Sequence, residues 1–311
     1  MEVSAFSTRL SRPLFFAGSL LATLAAGCAS GPMSLHSNTI NAEPALCSEE
    51  GCTSTVRVVT GQPNKVIDGA GWVLGIPRKI ILWDRRVDNH NVSPDTVTEV
   101  ATFAEVTQMS DVCVRVNQYA PIDEWKRLTQ NDRVSPGWRY TMGTLSLVGY
   151  TLLPGRLFGG DEYNPYTNSV YVYSDVPALG MEAAAYAKDV QSRQYPGTYA
   201  AANSLPLVSI WHETINTDDT LAYLEANGTN QQWEDGLRIL YPNYGASVGG
   251  AFDSAIGVSP ILTIGGAIAG HATGRYRATQ YDMSSSTTAW LESYDQGSEH
   301  SIRLVSDRSK N

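Results

Sequence analysis

Two hydrophobic rhythms run along the chain, and the switch between them lays out the fold. The first half carries short β-rich runs. Val56–Val59 reads as a strand, Lys79-Ile-Ile-Leu-Trp83 as a β-rich run closed by Asp84-Arg85-Arg86, and Asp111–Asn117 as a further strand. Between them, Ser93-Pro94 supplies an N-cap and a first-turn proline. Val97, Val100, Ala101, Ala104 and Val106 then trace the apolar face of a helix. Pro121–Thr129 predicts a second short helix, and Thr144–Leu153 is apolar and β-prone. Asn168–Tyr173 alternates, which predicts a strand with one covered face, ended by Asp175-Val-Pro177.

From there the period becomes helical. An Ala-rich helix is expected over about 179–194, broken by Pro196-Gly197. A longer helical region follows over 199–227, interrupted near Pro206 and stopped at Gly228, and another over 230–241, ended by Pro242. The stretch 245–274 holds eight glycines and an uncharged run of 17 residues between Asp253 and His271. It is too short to span a bilayer and is interrupted by Pro260, so it predicts a buried, tightly packed helical pair. The fold class expected is mixed α/β or α+β, a small mixed sheet packed on a mainly helical C-terminal half. One domain over 56–275 is followed by a polar, partly disordered tail, 276–311, with a short helix around Ala289–Tyr294.

The first 55 residues follow another logic. Arg9 and Arg12 precede an uncharged, mostly apolar stretch, Pro13–Ala26, of signal-peptide length. It ends in Leu24-Ala-Ala-Gly-Cys28, which resembles the bacterial lipobox, although Leu24 stands four residues before the cysteine. The resemblance implies removal of residues 1–27, lipidation of Cys28 and anchoring to the bilayer. An ordinary signal peptide with a chance cysteine is the competing reading. Ala29 points to the outer membrane, facing the periplasm or the exterior. Residues 28–55 read as a flexible tether. Four cysteines in 311 residues exclude a disulfide-built scaffold. Cys47 and Cys52 are spaced for a small disulfide loop, and Cys113 reads as a buried apolar residue. The net charge of −9 argues against a nucleic-acid partner.

Candidate chemistry is sparse. Of five histidines, His36 lies in the tether and His300 in the tail, leaving His90, His212 and His271. His212-Glu213 begins H-E-x-x-N, one residue type from the zinc motif H-E-x-x-H, but Asn216 is a poor zinc ligand. Gly245-Ala-Ser-Val-Gly249 fits G-x-S-x-G with Asp253 and His271 downstream, yet Pro242 argues against the central strand a nucleophile elbow needs. The loop Asp161–Tyr166 is aromatic and reads either as a groove lining or as ordinary packing.

A longer pattern carries more. Tyr163-Asn-Pro-Tyr-Thr-Asn-Ser-Val-Tyr-Val-Tyr-Ser-Asp-Val-Pro177 precedes Glu182-Ala-Ala-Ala-Tyr-Ala-Lys-Asp189. Trp211-His-Glu-Thr214, Asp218–Leu224 and Leu240-Tyr-Pro-Asn-Tyr-Gly245 follow. Over about 79–275 this order resembles bacterial zincin-like proteins of gluzincin type. In those, a strand leads to an H-E-x-x-H helix followed by Ala-Lys-Asp, and a second helix supplies a Glu as third zinc ligand. The resemblance implies that Glu182 and Tyr186 stand where the two His would be, Ala183 where the general-base Glu would be, and that Glu213 matches the third ligand. Imidazoles compete for zinc where these side chains do not, and Ala183 activates no water. A non-catalytic, metal-free binding or structural role follows, with a peptide or cell-envelope partner. The alternative is a metal-dependent hydrolase rearranged around His212, Glu213 and His271.

Overall fold

The structure, a computed structural model, describes residues 56–257 and 260–281. Cys28, Cys47 and Cys52, the signal and tether segments, and the expected helix at Ala289–Tyr294 lie outside the described residues. The fold is α+β, with 69% of the described residues helical around a four-stranded sheet.

The strands are β1 (Arg57–Thr60), β2 (Cys113–Val116), β3 (Glu162–Asn164) and β4 (Ser169–Val172), in the order β1-β2-β4-β3. β1, β2 and β4 are parallel, with Arg57 opposite Cys113 and Cys113 opposite Ser169, and β3 runs antiparallel along the edge of β4. Parallel strands need crossovers, and the helices between them supply these. The longer ones, in chain order, are α1 (Lys65–Leu74), α2 (Ile76–Leu82), α3 (Pro94–Val106), α4 (Pro121–Gln130) and α5 (Thr144–Leu152), with short helical turns at Pro136–Trp138 and Gly155–Phe158. The C-terminal half is α6 (Pro177–Ser192), α7 (Pro196–Asn203), α8 (Pro206–Asn227), α9 (Asn230–Ile256) and α10 (261–281).

β4 is covered on both faces, not on one. Val170 and Val172 join the main core with Val100, Phe103, Leu179 and Leu240, while Tyr171 and Tyr173 face a second core with Leu128, Leu147 and Tyr150. The polar positions on that second face are buried with partners. Glu124 accepts from Arg115 Nε, Ser169 Oγ and Tyr171 OH, so these groups leave water without losing hydrogen bonds.

Four local expectations are corrected. Residues 79–83 form the end of α2, not a strand. Pro77 opens that helix, Leu82 and Lys79 bury three residues apart, and Trp83 closes it with φ 53°. Residues 144–152 are helical because a π-helical turn at Arg139–Gly143 feeds directly into α5, whose Leu147 and Tyr150 pack one turn apart. α9 does not stop at Pro242 but runs through it to Ile256, and Gly257 then takes the left-handed C-cap position with φ 67°. The last described helix crosses the expected boundary at 275 and continues to 281.

The glycine-rich stretch does form a tight antiparallel pair, but the pair is not buried as expected: Ile256, Ile261, Ile264 and Ile268 on its outer face are exposed. A Cβ on Gly245 would stand 2.1 Å from the Gly266 carbonyl oxygen, and one on Gly249 2.0 Å from that of Leu262. Only glycine allows these two backbones to touch. That packing accounts for the G-x-S-x-G match, which lies inside α9 and presents no strand-to-helix elbow.

Candidate functional site

α6 is positioned by its small residues. Ala183, Ala184, Ala185 and Ala187 are buried, and Gly180 lies so close to Val100 that an added Cβ would be 2.6 Å from it. The helix is thereby pressed against α3, β4 and α8. Two of its polar side chains, Glu182 and Tyr186, lie one turn apart and meet α8.

Glu182 is 6% exposed, and both its oxygens are taken. Thr217 Oγ1 donates to Oε1 at 2.7 Å from α8, and Asn243 Nδ2 donates to Oε2 at 2.7 Å from α9. Burial pushes its carboxyl up, to about 8, and the nearby Glu213 carboxylate pushes in the same direction. The Thr217 and Asn243 hydrogen bonds and the Arg78 charge oppose the rise. Arg78 itself is held by Asp88 at 3.0 Å and faces Asp161 at 3.7 Å. At neutral pH Glu182 is therefore mostly a neutral acid that staples three helices.

The Tyr186 ring stacks on His212, with centroids 4.4 Å apart and planes 27° apart, and meets Tyr163 edge-on. Burial holds its phenol above the usual tyrosine range, so it stays protonated. His212 Nε2 lies 3.6 Å from Glu213 Oε1, and Nδ1 is buried without a hydrogen-bond partner. A salt bridge between Lys188 Nζ and Asp219 Oδ2, 2.8 Å, closes the far side of the α6–α8 contact.

The structure thus gathers Glu182, Tyr186, His212 and Glu213 in one place. It does not bring His271 there. That imidazole stacks on Trp83 with centroids 4.0 Å apart and donates from Nε2 to the Ile81 carbonyl at 2.8 Å, which ties α10 to the end of α2. Burial lowers its pKa, consistent with a neutral ring. The three-residue metal set of His212, Glu213 and His271 is therefore not assembled. Among the described residues no group of three or more His, Cys, Asp or Glu is placed to hold a metal ion.

The donor chemistry does not fit zinc. Of the residues gathered here, one carboxyl is a neutral acid with both oxygens engaged and the phenol beside it is protonated, so neither offers zinc a free anionic ligand. The aromatic loop is likewise packing: Tyr163 and Tyr166 are buried, and Tyr163 OH donates to Asn168 Oδ1. A cavity of about 380 Å³ at the carboxyl ends of β1 and β2, lined by Gly61, Trp72, His90 and Asn117 among others, lies apart from this cluster. Its floor is hydrogen-bonded within itself, with His90 Nδ1 donating to Asn117 Oδ1 and Asn117 Nδ2 to Asp68.

Two members of the cluster had not been singled out in the sequence. Thr217 was within reach, because it lies four residues after Glu213 on the same helix face. Asn243 was not, because it follows a proline that reads as a helix stop. Compared with protein-family models, curated proteins and solved structures, the chain matches none.

Proposed function

We propose that the chain is an envelope lipoprotein, anchored through Cys28, whose zincin-like domain is non-catalytic and acts in binding or structure. The observation that carries this reading is the hydrogen-bonded staple of Glu182 with Thr217 and Asn243. It occupies the junction between α6 and α8 where the resemblance would put a zinc ion. The order of elements supports the zincin-like part: β4 leads into α6, and α8 brings Glu213 to the same junction. In place of a metal cross-link the helices share neutral hydrogen bonds and a stacked Tyr186–His212 pair. The partner is a peptide or another envelope component.

Metal analysis of the purified protein after incubation with zinc tests this. The expected content is far below one ion per chain and unchanged in His212→Ala. About one zinc per chain, lost in His212→Ala, overturns the non-catalytic reading.

A further inference from the structure

One end of the α8–α9–α10 bundle is apolar on its outside and carries no charge. The antiparallel register fixes what lies there. Thr214 bonds Tyr244 and Leu224 packs on Gly236, so the start of α8 runs beside the end of α9. Gly249 against the Leu262 carbonyl brings the start of α10 to the same end. Residues 194–212 and 254–274 contain no Asp, Glu, Lys or Arg. Leu207, Val208, Trp211, Ile261, Ile264 and Ile268 are all at least 40% exposed. The three isoleucines recur at i, i+3 and i+7, an outward stripe opposite the Gly/Ala face that meets α9. Some exposed apolar residues elsewhere are interspersed with charge, as Val66 and Ile80 are with Lys65, Asp68 and Arg78, while a second uncharged run, 140–155, exposes Leu145, Val148, Leu152 and Leu153 on and after α5 but has only nine helical residues. Scattered exposure of that kind is ordinary, whereas a charge-free apolar end is not.

We propose that this end docks on a lipid bilayer and seats the first turns of α10 below the headgroups. A protein interface is ringed by a polar rim, and the two segments that meet here supply no charged residue for one. A bilayer asks instead for an absence of charge. Asp253, the charge that precedes the run, is turned inward, accepting from Leu262 N, Thr263 N and Thr263 Oγ1. Along α10, Tyr276 stands about 12 Å above Ile268 at 1.5 Å per residue. At that height the Arg275 guanidinium lies over the exposed Trp83 ring, 5.2 Å from its centroid, and Tyr276 is exposed as well. Aromatic and cationic side chains at that height match the headgroup zone when the helix end enters by about 5–10 Å. No helix among the described residues is long and apolar enough to cross a membrane, so the contact is with its surface.

The docking rests on the lipoprotein reading in one respect. A lipid on Cys28 with a 28–55 tether, reaching roughly 100 Å at most, keeps the domain near the surface and makes a weak contact effective.

The test uses the full-length protein in phosphatidylcholine vesicles, with photoactivatable benzoylphenylalanine in place of Ile264 or, as a control, of exposed Lys126 on α4. The lipid adduct is expected to be at least tenfold stronger at 264. Equal yields at the two positions, or a cross-linked dimer in place of the lipid adduct at 264, overturn the proposal. The mass of the N-terminal peptide reads the anchor separately. Unmodified Cys28 with a strong adduct at 264 rejects the anchor and keeps the docking. Acylated Cys28 without the adduct rejects the docking alone. Ile268→Asp, at an exposed position, should leave the melting temperature unchanged and reduce the adduct at 264 several-fold.

Discussion

The α6–α8 and α9–α10 contacts are both tight helix pairs, yet they are held in opposite ways. α6 and α8 are joined by side chains: Glu182 to Thr217, Lys188 to Asp219, and Tyr186 against His212. α9 and α10 are joined by backbones that approach because Gly245, Gly249 and Gly266 have no side chains. The first contact answers to protonation. The second answers first to volume, with Asp253 adding hydrogen bonds from Leu262 and Thr263 at one end.

The largest effect is expected where volume decides. Gly245→Val puts atoms where the Gly266 carbonyl already stands and forces the two helices apart, costing about 4 kcal/mol or more. That is a large part of the roughly 5–15 kcal/mol that keeps such a domain folded. Thermal melting at several pH values would read a loss that does not vary with pH. A loss below about 1 kcal/mol would mean that the helices are free to shift.

The next effect is expected where protonation decides. The Glu182 carboxyl binds its proton up to about pH 8 in the folded chain but only to about 4.5 when unfolded. Below about 4.5 both states are protonated and its contribution is fully present. Between the two values the folded state holds a proton that the unfolded state has lost. Stability therefore falls with rising pH by at most about 1.4 kcal/mol per pH unit, and the fall ends above 8. Glu182→Gln keeps a neutral group of the same size and should lose this slope, so the variant gains on the wild type as pH rises. Parallel pH profiles for the two proteins would show that the carboxyl is ionised in the fold.

The smallest effect belongs to Lys188→Ala. Its ion pair with Asp219 is partly exposed, and chemical denaturation should show a loss of about 0.5 kcal/mol or less, shrinking further in salt.

These contrasts also explain what could be read in the sequence. The Ser93-Pro94 start, the strand at Cys113–Val116, the Ala-rich α6 and the packed pair in 245–274 were legible, because capping, alternation and small-residue density act locally. Lys79–Trp83 and Thr144–Leu153 read as β-rich because a short apolar run has the same composition in a strand and in a buried helix turn. The second covered face of Asn168–Tyr173 was not legible, since nothing in that segment announces that Glu124 will meet Ser169 and Tyr171. In the candidate site, Glu182, Tyr186 and Glu213 were found from motif order, and Thr217 was findable from helical spacing. Asn243 and Arg78 depend on tertiary placement. His271 was assigned to the wrong neighbourhood because a lone histidine carries no signal of which helix it will face.

The strand order has a kinetic consequence. β1 must wait for β2, and β2 for β4, each pairing closing a loop of roughly 55 residues, whereas α8 and α9 each pair with the next helix in the chain. The helical half, although made last, is thus the half able to fold first. The sheet would then assemble late, against a surface that already exists.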